Sequence, residues 1–439
     1  MPTPFGKTLK QDSVYNNSFG ALEQSDSPAQ SAQLVLALAA LNEKLNSLVV
    51  CLSRAWGGLE QVAVHDALDL AALGLKIRFL CLQDSPVHQQ LLSQMDSGRP
   101  GQVILLPLSF SPKNYFDWTI RGELHRLLEE DGVNLIHTHQ TSLLGSLVPW
   151  LWGRSDVALV ATRHIMNGHN KKDFFHRALY RRLDSLMVVS ESVRRNILET
   201  HPLGRNRVKV VRLGLDFKLF DPTAPTKQAV ASLRAAWGAG VDTETRIVGV
   251  VGRIDPAKGQ ATFIKAAAGL LKSLRPDEKK LKFVIVGEET IGSQKSHLEE
   301  LKQMVSQFRL EGHVLFAGYH ANIPTVMKAL DIFTMPSRQE AFGLVAIEAM
   351  AMECPVIISR GGSAAEIVGE REEFGLLTRP DDAFDLQRQI RILLDSPEER
   401  IAMGVRAREH VKFHYDGRKR VMNTLGLYQR ALRRRQRFL

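Results

Sequence analysis

The stretch "DIFTMPSRQEAFGLVAIEAMAMECPVIIS", residues 331–359, holds a strand, a helix and a second strand. "IFTMP" (332–336) is a short apolar run that a proline ends, and "PVIIS" (355–359) is a β-branched run. Between them "GLVAIEAMAME" (343–353) has the length and the Ala, Leu, Met and Glu content of a helix. Parallel neighbours need such a crossover, so the stretch predicts a parallel sheet. Glu340 falls in the loop and Glu348 in the second turn of the helix, with seven residues between them. The amides of Phe342, Gly343 and Leu344 open the helix as unsatisfied donors at its positive end. A phosphate at those amides could have one polar end reach Glu340 and another reach Glu348. Carboxylates accept hydrogen bonds from hydroxyls, so the pair suits a ligand with sugars on both sides of a phosphate, such as a nucleoside diphosphate sugar. A helix with incidental glutamates is the plainer alternative.

The same alternation runs through the chain. Strand runs are expected at 47–53, 76–82, 102–108, 134–139, 158–164, 185–190 and 207–213, then at 245–252, 282–287, 313–318, 332–336 and 355–359. Continuous apolar strands separated by helices imply parallel sheets covered on both faces. Two series imply an α/β protein of two doubly wound, Rossmann-like domains facing a cleft, with ligands beyond the carboxyl ends of the strands. "FDPTAPTKQ" (220–228) breaks both patterns. The expected division is a partly disordered extension over 1–45, a first domain over 46–220, a second domain over 221–412, and a basic helix over 413–439.

A chain of 439 residues suits two such domains, and 44% apolar with 24% charged residues is ordinary for a globular protein. No apolar run approaches the roughly 18 residues that span a bilayer, and "LVLALAALN" (34–42) is too short and lacks a basic flank for a signal peptide. Cys51, Cys81 and Cys354 form no CxxC, which argues against a disulfide framework or zinc site and for a reducing cytoplasm. The net charge of +10 is concentrated: Arg163 to Lys218 holds 13 Lys/Arg against 5 Asp/Glu, and Arg418 to Arg437 holds eight basic residues and no acidic one. Such foci attract phosphate, nucleic acid or an anionic membrane surface. Aromatic interleaving is sparse outside 170–185, so no nucleic-acid partner is expected.

Three further strand-to-helix loops carry candidate chemistry. In "SRAWGGLEQ" (53–61), Gly57 and Gly58 open a helix where a phosphate could approach the amides, or make a tight turn. In "IHTHQ" (136–140), His137 and His139 point to one side, His139 nearest the cleft mouth, as donors to a polar ligand or caps of the strand end. In "GVVGRIDPAKGQATF" (249–263), Arg253 and Lys258 lie five residues apart near a helix start, as a receptor for a diphosphate or as solvated charges. "NKKDFFHRALYRRLDS" (170–185) is an amphipathic basic helix that either lies on an anionic surface or buries Phe174, Phe175 and Leu179 in the core. No acidic ligand pair is placed for a metal.

Together these motifs resemble the retaining nucleotide-sugar glycosyltransferases of the GT-B fold, family 4. The likeness spans about residues 48–430 and is densest over 247–378, where "PSRQEAFGLVAIEAMAMECPVI" is similar to the family's E-x7-E signature. The resemblance implies that Glu340 contacts hydroxyls of the donor sugar and Glu348 the nucleotide ribose. It implies that Arg253 and Lys258 bind the diphosphate, that Gly57-Gly58 approaches the donor phosphates, and that His139, with His137 as alternative, contacts the donor sugar. Glu340, Arg253, Lys258 and His139 are then the catalytic candidates. Gly57, Gly58, Phe342, Gly343, Leu344 and Glu348, with the two cations, bind the donor. "LGLD" (213–216), "VGEE" (286–289) and Cys354 depart from the family pattern.

The resemblance further implies sugar transfer from a UDP- or GDP-linked donor to a hydroxyl of a glycan or lipid-linked, lipopolysaccharide-type acceptor. Configuration is retained, and neither a metal nor another cofactor is needed. The enzyme is expected in the cytoplasm, peripheral to the inner membrane. A sugar-nucleotide epimerase or glycoside phosphorylase of the same fold, or a non-catalytic scaffold, are the alternatives.

Overall fold

The computed structural model describes residues 45–95, 103–110, 119–239, 244–274, 280–289 and 296–436. The expected extension, but for its last residue, and the 34–42 run lie outside them. All twelve expected strands form; the one expected at 282–287 keeps its length but starts one residue earlier, and the others are shorter than their apolar runs. The first series is β1 (Ser47–Cys51), β2 (Ile77–Leu82), β3 (Val103–Leu108), β4 (Leu135–Thr138), β5 (Ala158–Arg163), β6 (Ser185–Val188) and β7 (Val208–Val210). The second is β8 (Arg246–Val251), β9 (Leu281–Val286), β10 (Val314–Gly318), β11 (Ile332–Met335) and β12 (Val356–Ser359). A further strand, β13 (Leu376–Thr378), has only three residues and leaves no run in the sequence.

Among the described residues these make two sheets, ordered β3-β2-β1-β4-β5-β6-β7 and β10-β9-β8-β11-β12-β13, with every pairing parallel. The strand order reverses between β1 and β4 in one sheet and between β8 and β11 in the other. Those are the points where crevices open beyond the strand ends of doubly wound sheets. Burial follows the sequence reading: every residue of β1, β2, β4 and β12 is buried, as strands covered on both faces require.

The chain divides into two compact units. Leu215–Asp416 forms one, and the residues through Gly214 with those from Gly417 onward form the other. The boundaries expected at 220/221 and 412/413 therefore move. Phe220 is 1% exposed and its carbonyl accepts from Arg408 at 2.8 Å, which ties the proline-rich segment into the Leu215–Asp416 unit. The helix Pro397–His414 runs straight through the second expected boundary. Leu215 N donates to Tyr415 O at 2.8 Å, so the chain enters and leaves this unit at adjacent points.

Five helices carry the sites. In the unit through Gly214 they are α1 (Gly58–Ala72), α2 (Phe174–Arg182) and the C-terminal α5 (Gly417–Gln436); in the other unit they are α3 (Gln260–Lys272) and α4 (Leu344–Ala351). The basic α5 is part of its unit's core. Val421, Leu425, Tyr428 and Ala431 join Val49, Ala63, Ala67, Phe79, Leu135 and Val160 in one buried cluster. Each large apolar side chain buried this way contributes about 1.5–3 kcal/mol. Helix α2 is split between the two readings offered by its sequence. Leu179 and Tyr180 are buried, Phe174 is 88% exposed, and Arg182 turns inward to donate to the carbonyls of Leu151 and Val157. Arg182 therefore drops out of the expected basic surface. All three cysteines are free and buried, and no described helix is long and apolar enough to cross a membrane.

Candidate functional site

In the Leu215–Asp416 unit the loops after β8 and β11, adjacent strands at the switch point, are held together by backbone. Arg338 N donates to Ala257 O at 3.0 Å. Gly259 caps α3 in the left-handed conformation, φ +76°, and a Cβ there would stand 2.1 Å from the Pro336 carbonyl oxygen. Only glycine allows both the conformation and the approach. Gly259→Ala is expected to cost at least about 1–2 kcal/mol from the left-handed backbone alone, with the clash adding to it, read as a lower urea midpoint.

This junction brings together what the sequence keeps 82 residues apart: Lys258 Nζ lies 2.7 Å from Glu340 Oε2. The Glu340 carbonyl accepts from Ser363 N at 3.0 Å, and Ser363 Oγ donates to the Phe342 carbonyl at 2.8 Å. Those bonds fix the approach to α4. Gly343, φ +82°, caps that helix without any side-chain hydrogen bond, which leaves its positive end open. Leu344 is the first helical residue, and Phe342 is buried against the Tyr415 ring at 5.8 Å. Glu348 lies one turn further on, 7% exposed, and burial pushes its carboxyl up to about 8. Arg253 pairs with Asp255 at 2.8 Å and its side chain is 56% exposed. Read from the sequence as two cations aimed at one anion, Arg253 and Lys258 are each neutralised by a carboxylate. Such half-exposed pairs are worth about 0–1 kcal/mol, so either cation can exchange its partner for a phosphate at small cost.

The other unit holds a buried polar cluster. His137, in the middle of β4, uses both ring nitrogens, 2.7 Å from Tyr428 Oη and 2.7 Å from Thr162 Oγ1. It is a satisfied core histidine, and the alternative that it meets a ligand is set aside. His139 does not sit open at the strand end as expected. Its side chain is 0% exposed, Nδ1 is 3.3 Å from His164 Nε2, and Nε2 is 3.9 Å from Asp66 Oδ2. Its Nε2 is buried without a hydrogen-bond partner in the protein. Asp66, on α1, is held by Arg420 of α5 through two bonds of 2.6 and 2.5 Å. Asp66, His164, Arg420, Thr162 and Tyr428 escape sequence reasoning. The available signal was a histidine directly after the ends of the neighbouring strands, Thr138-His139 and Arg163-His164.

Burial holds the ring of His137 down to about 4 and that of His164 to about 3, and burial with His137, His164 and Arg420 holds His139 well below its ordinary value. These rings are neutral when folded, whereas the unfolded chain takes protons below about pH 6.5. Stability from them is full above that pH and falls as pH drops toward 4, by on the order of 2 kcal/mol per histidine at pH 5. Glu348 works in the opposite sense, because its raised carboxyl favours the fold at lower pH. The histidine effect is therefore read as a difference: the pH 7 to pH 5 change in unfolding free energy should move by about 2 kcal/mol in His137→Gln.

Gly57 and Gly58 lie at the start of α1. The Glu60 carboxylate accepts from Gly57 N at 2.9 Å and from Ser53 Oγ at 2.6 Å, so the first amide of that turn is already capped. A Cβ on Gly58 would meet open space. The glycine pair therefore makes a turn whose Gly58 side remains approachable, and the close approach of Gly57 to an anion competes with Glu60. The described residues contain no group of three or more His, Cys, Asp or Glu that could hold a metal ion.

Residues 235–410 match the family of glycosyl transferases group 1, and residues 56–219 match glycosyltransferase family 4. The chain is 28% identical over 409 residues to the D-inositol 3-phosphate glycosyltransferase of Kineococcus radiotolerans, covering 86% of this chain and 92% of that protein. It is 36% identical over 174 residues to the lipopolysaccharide core biosynthesis mannosyltransferase LpsB of Rhizobium meliloti, 39% of this chain and 46% of that one. The crystal structure of Anabaena HepE in complex with UDP is similar at a TM-score of 0.70 and 22% identity, covering 88% of this chain and all of that one (100%).

Proposed function

The chain belongs to the group 1, family 4 glycosyltransferases of the GT-B fold, and from that premise we propose that it moves a sugar from a nucleoside diphosphate to an acceptor hydroxyl with retention of configuration. The observation that carries the reading is the Lys258–Glu340 ion pair set against the uncapped start of α4, with Glu348 one turn along. A diphosphate at that helix start draws Lys258 from Glu340. The freed Glu340 carboxylate then accepts from hydroxyls of the donor sugar, while Glu348 accepts from the ribose. Lys258, Arg253 and the amides of Phe342, Gly343 and Leu344 stabilise the charge that develops on the leaving diphosphate, the task a metal performs in other enzymes. The acceptor hydroxyl attacks from the face the diphosphate leaves, and a phosphate oxygen takes its proton. In the unit through Gly214, the buried Nε2 of His139 has no hydrogen-bond partner and a Cβ on Gly58 would meet open space.

The UDP seen with HepE and the mannosyl transfer in the name of LpsB support a UDP- or GDP-linked donor. The names of both relatives support a hydroxyl on a phosphorylated polyol or on a lipopolysaccharide-type glycan. Exposed Phe174, beside Lys172, supports a peripheral site of work on an anionic cytoplasmic membrane face. The test is a transfer assay with labelled UDP- and GDP-sugars against inositol phosphate and lipopolysaccharide-core acceptors, with the product's anomeric configuration read by proton NMR. A retained anomer is expected; an inverted one overturns the mechanism.

A further inference from the structure

The described residues also form an open surface pocket of about 570 Å³ lined by Lys172, Arg177, Arg181, Arg207 and Arg434, with Pro202, Gly204 and Asn206. It lies wholly within the unit through Gly214 and α5. Arg181 is in the last turn of α2 just ahead of β6, Gly204 to Arg207 lead into the edge strand β7, and Arg434 is in the last turn of α5. Because the sheet is parallel, these residues gather at the amino ends of β6 and β7. His139 follows the carboxyl end of β4, so this pocket and the buried histidine cluster occupy opposite ends of the sheet.

The pocket has five cationic side chains and no carboxylate among its lining residues. The nearby Asp184 is already committed to Arg182 at 3.2 Å and Arg435 at 2.8 Å. Three of the cations are fixed by the fold. Arg207 donates to the carbonyls of Arg181 and Leu183, Arg434 to that of Asp184, and Arg177 to that of Lys172. Carbonyls satisfy donors without neutralising charge, so the cluster keeps its full positive charge. Burial and crowding by Arg434, Arg435 and Arg181 hold Arg207 below the usual guanidinium range, Asp184 only partly offsetting this. Like charges held together in a concave wall are stabilised by a multivalent anion.

We propose that this pocket is a binding site for a compact phosphate-bearing polyanion, separate from the sugar-transfer site. Guanidinium forks from Arg177, Arg181, Arg207 and Arg434 with the Lys172 ammonium match a diphosphate or a phosphomonoester with a second charge, and Asn206 adds a carboxamide. The same chemistry is offered by a soluble diphosphate and by an anionic phospholipid headgroup.

The experiment uses the full chain carrying Arg253→Ala and Lys258→Ala, which removes the cations assigned to the donor. Into it are introduced either Lys172→Glu with Arg181→Glu, in the pocket, or Lys227→Glu with Lys272→Glu, exposed in the other unit and matched in charge. Arg207 is left alone because it caps α2. Pyrophosphate is titrated calorimetrically at low salt, and sedimentation is followed with phosphatidylcholine vesicles with and without phosphatidic acid. Saturable pyrophosphate binding, weakened at least about ten-fold by the pocket pair and not by the matched pair, supports the site and a soluble ligand. Absent pyrophosphate binding together with sedimentation on phosphatidic acid that only the pocket pair abolishes supports it with a headgroup. Failure of both probes, or equal loss in the two variants, overturns it.

Discussion

Lys258→Ala is expected to lower the rate of sugar transfer about 10²- to 10³-fold while leaving the protein folded. The stability half follows from exposure. Lys258 and Glu340 are 35% and 21% exposed, so their 2.7 Å pair belongs with surface ion pairs worth about 0–1 kcal/mol. The rate half follows from position. The ammonium stands beside the uncapped start of α4, where the proposed leaving diphosphate gathers charge. Removing one preorganised donor from such a place costs about 2.7–4 kcal/mol of barrier. Lys258→Arg should recover part of the loss, because the charge remains and its geometry changes. A loss below ten-fold with the fold intact would show that Lys258 is only the structural partner of Glu340.

The second large effect is on stability. Asp66 and Arg420 are 3% and 7% exposed and joined by two short bonds. Removing one member leaves the other as a buried, unpaired charge, which costs about 3–5 kcal/mol. Asp66→Ala or Arg420→Ala should each shift the urea transition of that unit by this amount. The double variant should cost less than the sum, because neither charge is then stranded. Arg420 also donates to the carbonyls of Val211 and Arg212, so its loss loosens the end of the β7 segment as well. Additive single losses would mean that the pair acts through packing rather than through charge.

Much of the fold could be read from the chain. Twelve strands are long enough, and apolar enough, to be seen as runs, and their spacing by helices dictates parallel pairing. β13 could not, because its three residues, unlike those of β7, belong to no longer apolar run. The domain boundaries were misplaced because "FDPTAPTKQ" looks like a linker while Phe220 anchors it, and because a helix without a break, Pro397–His414, carried the chain past 412. In the site, Glu340, Glu348, Lys258 and the opening of α4 stand where their spacing put them. Their mutual state was not legible: a sequence read for groups that bind an anion does not reveal that Lys258 and Glu340 satisfy each other. Asp66 and Arg420 were hidden by a separation of 354 residues, and Asp66 by its place among the apolar residues Val62, Ala63, Ala67 and Leu70 of α1. Alternation put His137 and His139 on one side of the strand, with His139 nearest the cleft mouth. Only the packing of Tyr428, His164 and Asp66 around them tells which ring nitrogen is unsatisfied.

The central claim, that Lys258, Glu340 and Glu348 form the donor site, is tested most directly by calorimetric titration of UDP-, GDP- and ADP-sugars. Each titration is run near pH 7 in two buffers that differ in ionisation heat, with wild-type protein and Glu348→Ala. Burial holds the Glu348 carboxyl at about 8, so near pH 7 it is mostly protonated, and it must ionise to accept from both ribose hydroxyls. The predicted result is saturable binding of at least one sugar nucleotide with release of about one proton, both lost in Glu348→Ala. Affinity should also rise as pH increases toward 8. Binding of no sugar nucleotide, or binding that Glu348→Ala leaves unchanged, would contradict the account.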